Sequence, residues 1–225
     1  MILITSYYEV ENKERQKEIN DCLIKNCKNK IISNIYLLND KTYELNFIKN
    51  KNKIKQFEII KNGKLSFKDA IEFANSYCYK DIVILSNSDI YYDQTLSLIN
   101  KSEIENKVLC LLRHNVKEDG TIDIFRHFDE PRSDSQDCWI FKSPLKINTN
   151  EIDFNFGTLG CDNIFASRLY DFGYELINPA YDIKIYHLHN IEERNYTIND
   201  RIHGNYCLIK PHHIDEKSDI RFMEY

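Results

Sequence analysis

The sequence is short of several features that place a chain quickly. It has no basic excess: 35 acidic residues outnumber 30 basic ones, for a formal net charge of −5. That balance argues against a protein that coats nucleic acid. It leaves an anionic substrate to local positive charge or a bound metal. No apolar run approaches the roughly 20 residues needed to span a bilayer. The start, MILITSYYEVENKERQ, lacks the basic and long apolar regions of a secretory signal, so no membrane span and a cytoplasmic location are expected. Without such a signal, Asn195-Tyr196-Thr197 is read as a chance match to a glycosylation acceptor. The 7 cysteines contain no C-x-x-C pair, and several sit within apolar runs, as reduced core residues do. There is one Trp, yet 15 Tyr and 12 Phe argue against disorder. No repeat or low-complexity linker divides the chain, which reads as a single domain.

What is present is a rhythm of strand and helix signals. Ile2-Leu3-Ile4-Thr5 is a short apolar run, and residues 11–27 carry Ile19, Leu23 and Cys27 at helical spacing. Ile35-Tyr36-Leu37-Leu38 predicts a second strand ending in Asn39-Asp40, and the Lys- and Asn-rich residues 41–56 a solvated connection with room for a turn of helix. Phe57-Glu58-Ile59-Ile60 predicts a third strand, and Asn62-Gly63 a turn. Ser66 can cap a helix with Asp69 three residues on, and Ala70, Ile71, Phe73, Ala74 and Tyr77 form its apolar face. The run from Ile82 to Ser86 reads as a buried strand. This alternation predicts a mostly parallel sheet covered by helices. In the second half, Val108–Leu112 and Cys138–Phe141 predict strands around a polar, loop-rich 114–136. Asp162–Phe172 predicts a helix stopped by Gly173, and Tyr174–Ile177 and Asp182–His189 short strands around Asn178-Pro179.

The chemistry-bearing residues gather in four places. The strand from Ile82 runs straight into Ser86-Asn87-Ser88-Asp89, where open α/β sheets bind ligands. A strand-end carboxylate can hold a hard divalent cation, and Asn87 suits a sugar hydroxyl; the plainer reading is a polar turn. A polar group there is rarely a core element, so Asp89 is expected to be dispensable for folding. In His187-Leu188-His189 both imidazoles share a strand face with Ile183 and Ile185, a pairing that suits Mn²⁺ over Mg²⁺. For an isolated H-x-H, satisfied histidines are the commoner case. Asp162, in Gly160-Cys161-Asp162-Asn163, lies at a helix start, where the dipole stabilises a carboxylate; a plain N-cap is the commoner use of an Asp there. Ser135-Gln136-Asp137 can line a sugar site or form an Asx-type turn.

In this order along one chain, these features resemble the GT-A glycosyltransferases, especially the small glycosyltransferase-like proteins of large DNA viruses and some bacteria. The resemblance covers roughly residues 1–210 and is most specific at ILSNSDIYYD, DSQDCWIF and LGCDNIFASRLYDFGYELINPAYDIKIYHLH. It implies an α/β fold, GT-A-like and Rossmann-like, with a mostly parallel central sheet flanked by helices in a single domain. Residues 1–95 would form a nucleotide-binding half, and 96–225 an irregular metal and acceptor half. The implied reaction is metal-dependent transfer of a sugar from a nucleoside-diphosphate-sugar donor to a glycan or other hydroxyl acceptor, in the inverting sense, with Mn²⁺ or Mg²⁺ as cofactor. If the chain is viral, its place is the host cytoplasm.

Carried over by position, Thr5, Ser6 and Tyr7 would border the base and ribose, and Asp40 would meet one of them. Asn87 and Asp89 occupy the D-x-D position, with Ser88 between them and Asp89 as the metal ligand. His187 or His189 would add the second metal contact. Asp162 falls at the inverting base, and Gln136 and Asp137 where donor or acceptor hydroxyls are held. Arg15 and Lys64 are lesser candidates for phosphate or base contacts. Asn87 departs from the pattern, with one negative charge fewer than an Asp. A nucleotidyltransferase of the same fold would carry a Gly-rich basic loop after the first strand, where this chain reads TSYYEVEN. A catalytically silent glycan- or nucleotide-binding module is the alternative from another class.

Overall fold

The computed structural model describes residues 1–61, 63–100, 102–188 and 200–225. Strand β1 (Ile2–Thr5) leads into helix α1 (Lys13–Lys28), then β2 (Asn34–Asn39), β3 (Ile54–Glu58), helix α2 (Phe67–Tyr77) and β4 (Ile82–Ser86). Every residue of β1 and β4 is buried, as expected where both faces of a parallel sheet are covered. Short strands β5 (Ile90–Tyr92) and β6 (Lys107–Leu111) follow. Two small hairpins come next, β7 (His114–Val116) with β8 (Ile122–Ile124), and β9 (Arg126–His127) with β10 (Glu130–Pro131). The chain closes with β11 (Cys138–Lys142), helix α3 (Cys161–Asp171), β12 (Glu175–Ile177), β13 (Ile185–Leu188), β14 (Asn205–Ile209) and β15 (Ile220–Glu224).

The central sheet has seven strands in the order β12-β6-β11-β4-β1-β2-β3. All neighbours are parallel except β11, which runs against β4 and β6. The inversion matters for function. It sets Cys138 opposite Ser86, so the residues entering β11 meet the carboxyl end of β4. Alternation along the strands divides the core. Ile4, Val83 and Leu85 face α2 and α3 through Phe67, Phe73 and Phe165, while Leu3 and Ile84 face α1 through Ile19 and Leu23. Phe67 is fully buried, stacked on Phe156 at 4.0 Å and set edge-on to Trp139 at 5.0 Å. A second sheet, β5-β13-β7-β8, sets His187 opposite Ile90 and so beside Asp89. Among the described residues, no helix is long and apolar enough to cross a membrane.

Four expectations change. β3 covers Ile54–Glu58 rather than Phe57–Ile60, because a half-exposed edge strand needs alternation more than a continuous apolar run. The connection before it carries no helix, and Tyr43, Leu45 and Ile48 anchor it in the α1-side core despite its Lys and Asn content. Residues 114–136 hold the two hairpins instead of plain loop. Tyr77 is 61% exposed and contributes by stacking on Phe73 at 4.4 Å.

Ser66 caps α2 as its sequence suggests. Its Oγ accepts from the Asp69 N–H at 3.0 Å and donates to Asp69 Oδ2 at 2.8 Å. Ser66→Ala should therefore lower stability by about 1 kcal/mol. Urea denaturation should show a reduced midpoint at an unchanged slope; an unchanged midpoint would mean that the cap contributes nothing.

Candidate functional site

The carboxyl ends of β1, β2 and β4 all open to one edge of the sheet, and the polar residues gather there in two clusters. Asn87 and Asp89, two apart in sequence, belong to different ones.

The first cluster joins β4 to the entry of β11. The Asn87 backbone N–H donates to the Asp137 carbonyl at 3.3 Å, and the Asn87 side-chain amide reaches Asp137 Oδ1 at 3.3 Å. The same Oδ1 accepts from Arg113 Nη1 at 3.0 Å. Arg113 is itself fixed by a bond to Asn115 at 3.0 Å and lies 4.0 Å over the Phe125 ring. An Asp at position 87 would set two carboxylates against each other, so the amide suits this place. Asp162 lies in the first turn of α3. Its Oδ2 accepts from the Gln136 N–H at 3.0 Å, and its Oδ1 from the Asn163 backbone and side chain at 3.0 and 3.1 Å.

Asp162 is not the helix cap. Gly160 takes that place at φ 84°, where a Cβ would collide with the Tyr206 hydroxyl. Burial, with the neighbouring charges of Asp137 and Asp134 adding to it, outweighs the N–H donors and pushes the Asp162 carboxyl up to about 7. Around it, Asp137 Oδ2, Gln136 Oε1 and Asn163 Oδ1 are buried and have no partner among the described residues. All three are acceptors, so the cluster is short of donors. A polyhydroxyl ligand would supply them.

The second cluster surrounds Asp89, which is only 9% exposed. Its Oδ2 accepts from Arg15 Nη2 at 2.5 Å and from His187 Nε2 at 3.1 Å, while Arg15 Nη1 also holds the buried Glu18 at 2.8 Å. Burial opposes the charge on Asp89, but His187 and Arg15 outweigh it and hold the carboxyl well below the usual carboxylate range. The premise that a strand-end polar group lies outside the core does not hold here: Asp89 is buried at the centre of an ion-pair network. An ionised carboxylate only accepts, so His187 Nε2 carries a proton and offers no lone pair to a metal. Asp89 and His187 thus face each other rather than a common ion. Among the described residues, no three His, Cys, Asp or Glu side chains come together as a metal site. As arranged, these residues do not fit a divalent cation. His189 lies outside the described residues.

A cleft of about 640 Å³ opens beside the ends of β1 and β2, lined by Tyr7, Glu9, Gln16, Asn20, Tyr43 and Phe47 among others. The Tyr7 ring is buried, 5.7 Å from Phe47 and 5.0 Å from Tyr43, with its hydroxyl on Asn20 at 3.0 Å. It is a wall of the cleft, not a free stacking face. Asp40 is exposed and accepts from the Tyr43 hydroxyl at 2.8 Å. Thr5 is buried with its hydroxyl unpartnered, and Ser6 and Ser88 are half-buried. Lys64 stands apart and exposed, its ammonium 3.8 Å from where a Gly157 Cβ would lie.

No protein-family model matches the chain, and no curated protein sequence matches it significantly. Solved structures do match. A mannosyltransferase from Pyrobaculum calidifontis, in complex with GDP-Man and Mn²⁺, has a TM-score of 0.52 at 12% identity, over 87% of this chain and 57% of its own. A 4-diphosphocytidyl-2C-methyl-D-erythritol synthase from Anaerococcus prevotii gives 0.45 at 14% identity, over 88% and 93% of the two chains. HddC from Yersinia pseudotuberculosis gives 0.37 at 15% identity, over 69% and 82%. The likeness to the mannosyltransferase is one of fold. It agrees with the mixed α/β, mostly parallel sheet described above, and the chain spans little more than half the mannosyltransferase's length.

Within that fold, the structure brings Asn87, Gln136, Asp137 and Asp162 together, and separately Asp89 with His187. Arg113, Asn163 and Glu18 were missed by sequence reasoning. Arg113 had a usable signal, since it follows directly on the apolar run Val108–Leu112. Glu18 had none, being one acid among several on α1.

Proposed function

We propose that the chain is a GT-A-type glycosyltransferase that moves a sugar from a nucleoside-diphosphate sugar to a hydroxyl of a glycan or similar acceptor, with inversion. The observation that carries this reading is Asp162, a carboxyl raised to about 7 at the carboxyl edge of the sheet, among buried acceptors that lack donors. A base is most effective when its pKa lies near the working pH. Ionised Asp162 takes the proton of the acceptor hydroxyl as the oxygen attacks the anomeric carbon. The new C–O bond forms as the bond to the diphosphate breaks, and the diphosphate leaves with the electron pair. Asp137 Oδ2, Gln136 Oε1 and Asn163 Oδ1 accept sugar hydroxyls, and Arg113 and Asn87 hold Asp137 in place for this. The nucleoside occupies the cleft beside Thr5, Ser6, Tyr7 and Asp40.

The test is a screen of uridine-, guanosine-, thymidine- and cytidine-diphosphate sugars, read by melting temperature and by sugar transfer to a panel of glycans. One donor class should stabilise the fold by about 2.7 kcal/mol at a hundred times its Kd, and one glycan should gain a sugar. Stabilisation without transfer to any acceptor would make the chain a silent binding module. No stabilisation by any donor would refute the reading.

A further inference from the structure

Arg15 sits where a positive charge needs a reason. It is in the first turn of α1, whose N-terminus already carries the positive end of the helix dipole. Two buried carboxylates supply the reason: Asp89 at 2.5 Å and Glu18 at 2.8 Å from separate nitrogens of one guanidinium. The arrangement is built, not incidental. Asn12 caps α1 through the Glu14 and Arg15 N–H groups at 3.0 and 3.2 Å, which fixes the turn that carries Arg15. Further along α1, Asn26 Nδ2 donates to the Ile90 carbonyl at 2.8 Å, and Asn26 Oδ1 accepts from the Tyr92 N–H at 3.2 Å. The Cys22 thiol reaches the Asp89 carbonyl at 3.1 Å. The helix is thus bolted to the segment that begins at Asp89, and Arg15 and Asp89 have little freedom to part.

We infer that Arg15 is the resident cation of the Asp89 position, so that the protein holds no divalent ion there unless the guanidinium leaves. Asp89 Oδ2 already carries two donors, Arg15 and His187, and a metal ion cannot share that oxygen with them. Oδ1 is left open and buried, but a single carboxylate oxygen is a poor site for a cation that prefers six or more ligands. Removing the guanidinium would reverse the balance, taking from Asp89 and Glu18 a positive charge that both now share. The inference stands on this network alone and does not depend on sugar transfer.

The experiment uses Mn²⁺ alone with the full chain, followed by titration calorimetry and by loss of the free-ion EPR signal. Wild type should show no Asp89-dependent binding below about 1 mM. Arg15→Gln should bind at least about tenfold tighter, because the competing cation is gone. Adding Asp89→Asn to that variant should abolish the gain. Micromolar binding to wild type that Asp89→Asn removes would overturn the inference, as would Arg15→Gln binding no more tightly than wild type. Should Arg15→Gln fail to fold, Arg15→Lys keeps a cation in place and should exclude Mn²⁺ as wild type does. Asp89-dependent micromolar binding to Arg15→Lys or to wild type would then decide against the inference.

Discussion

Asp162→Asn should bind the donor as wild type does and transfer sugar about 10²–10⁴-fold more slowly. Asn nearly matches Asp in size and keeps one acceptor oxygen, for either the Gln136 donor or the Asn163 donors, but it cannot take a proton. In the proposed reaction the base acts on the acceptor hydroxyl, across the anomeric carbon from the leaving diphosphate, so affinity for the donor should scarcely move. In wild type the rate should fall on the acid side as Asp162 protonates, with a midpoint near 7. The variant's residual rate should lose that limb. Asp137→Asn provides a second arm: it removes one of the charges that raise Asp162, so the Asp162 midpoint should move below 7. Burial, the larger cause, remains, so the midpoint should stay above the ordinary carboxylate range. Carboxyl NMR titration reads this without any substrate.

Stability carries the same signature. A carboxyl whose folded pKa is raised above its unfolded value binds its proton more tightly in the folded state. Its contribution is therefore lost as pH rises from the ordinary carboxylate range through about 7. Wild type should lose stability relative to Asp162→Asn across that window, and the two should run parallel above it. Full transfer activity in Asp162→Asn would end its assignment as the base, and matching pH profiles would show that Asp162 titrates as an ordinary carboxyl.

The places where chemistry gathers were legible because they obey a local rule: polar residues that abut a buried strand mark one of its ends. Ser86-Asn87-Ser88-Asp89 after β4 and Gln136-Asp137 before β11 could be found that way. Which of them touch could not. Asn87 meets Asp137 only because β11 runs antiparallel to β4, a choice made by the whole sheet and invisible in either segment. Arg15 and Asp89 are 74 positions apart, and His187 and Asp89 are 98 apart. Their meeting depends on how α1 and β13 dock on β5. Local patterns name the strand ends, whereas topology sorts their side chains into clusters. For that reason the N-x-D segment reads as one motif and folds as two.

Asp89→Ala should be among the most destabilising single changes on this edge of the sheet, with a loss of about 3 kcal/mol, the lower end for breaking a buried ion pair. The lower end applies because Arg15 keeps Glu18 and is itself 18% exposed, so its charge is not stranded. The cost arises from the His187 Nε2–H, which loses its acceptor, and from a guanidinium left with one carboxylate where it had two. For a chain of this size the melting temperature should fall by roughly 6–12 °C. Asp89→Asn should cost less, since one oxygen can still accept. The pH dependence is opposite in sign to that of Asp162. The Asp89 carboxyl is held low in the fold, so its stabilisation is complete above the ordinary carboxylate range and is lost only as pH falls well below it. The gap between wild type and Asp89→Ala should hold from pH 6 to 8 and close only in strong acid. A variant that melts with wild type at pH 7 would show that the network contributes nothing to the fold, and would return Asp89 to the role of a free strand-end ligand.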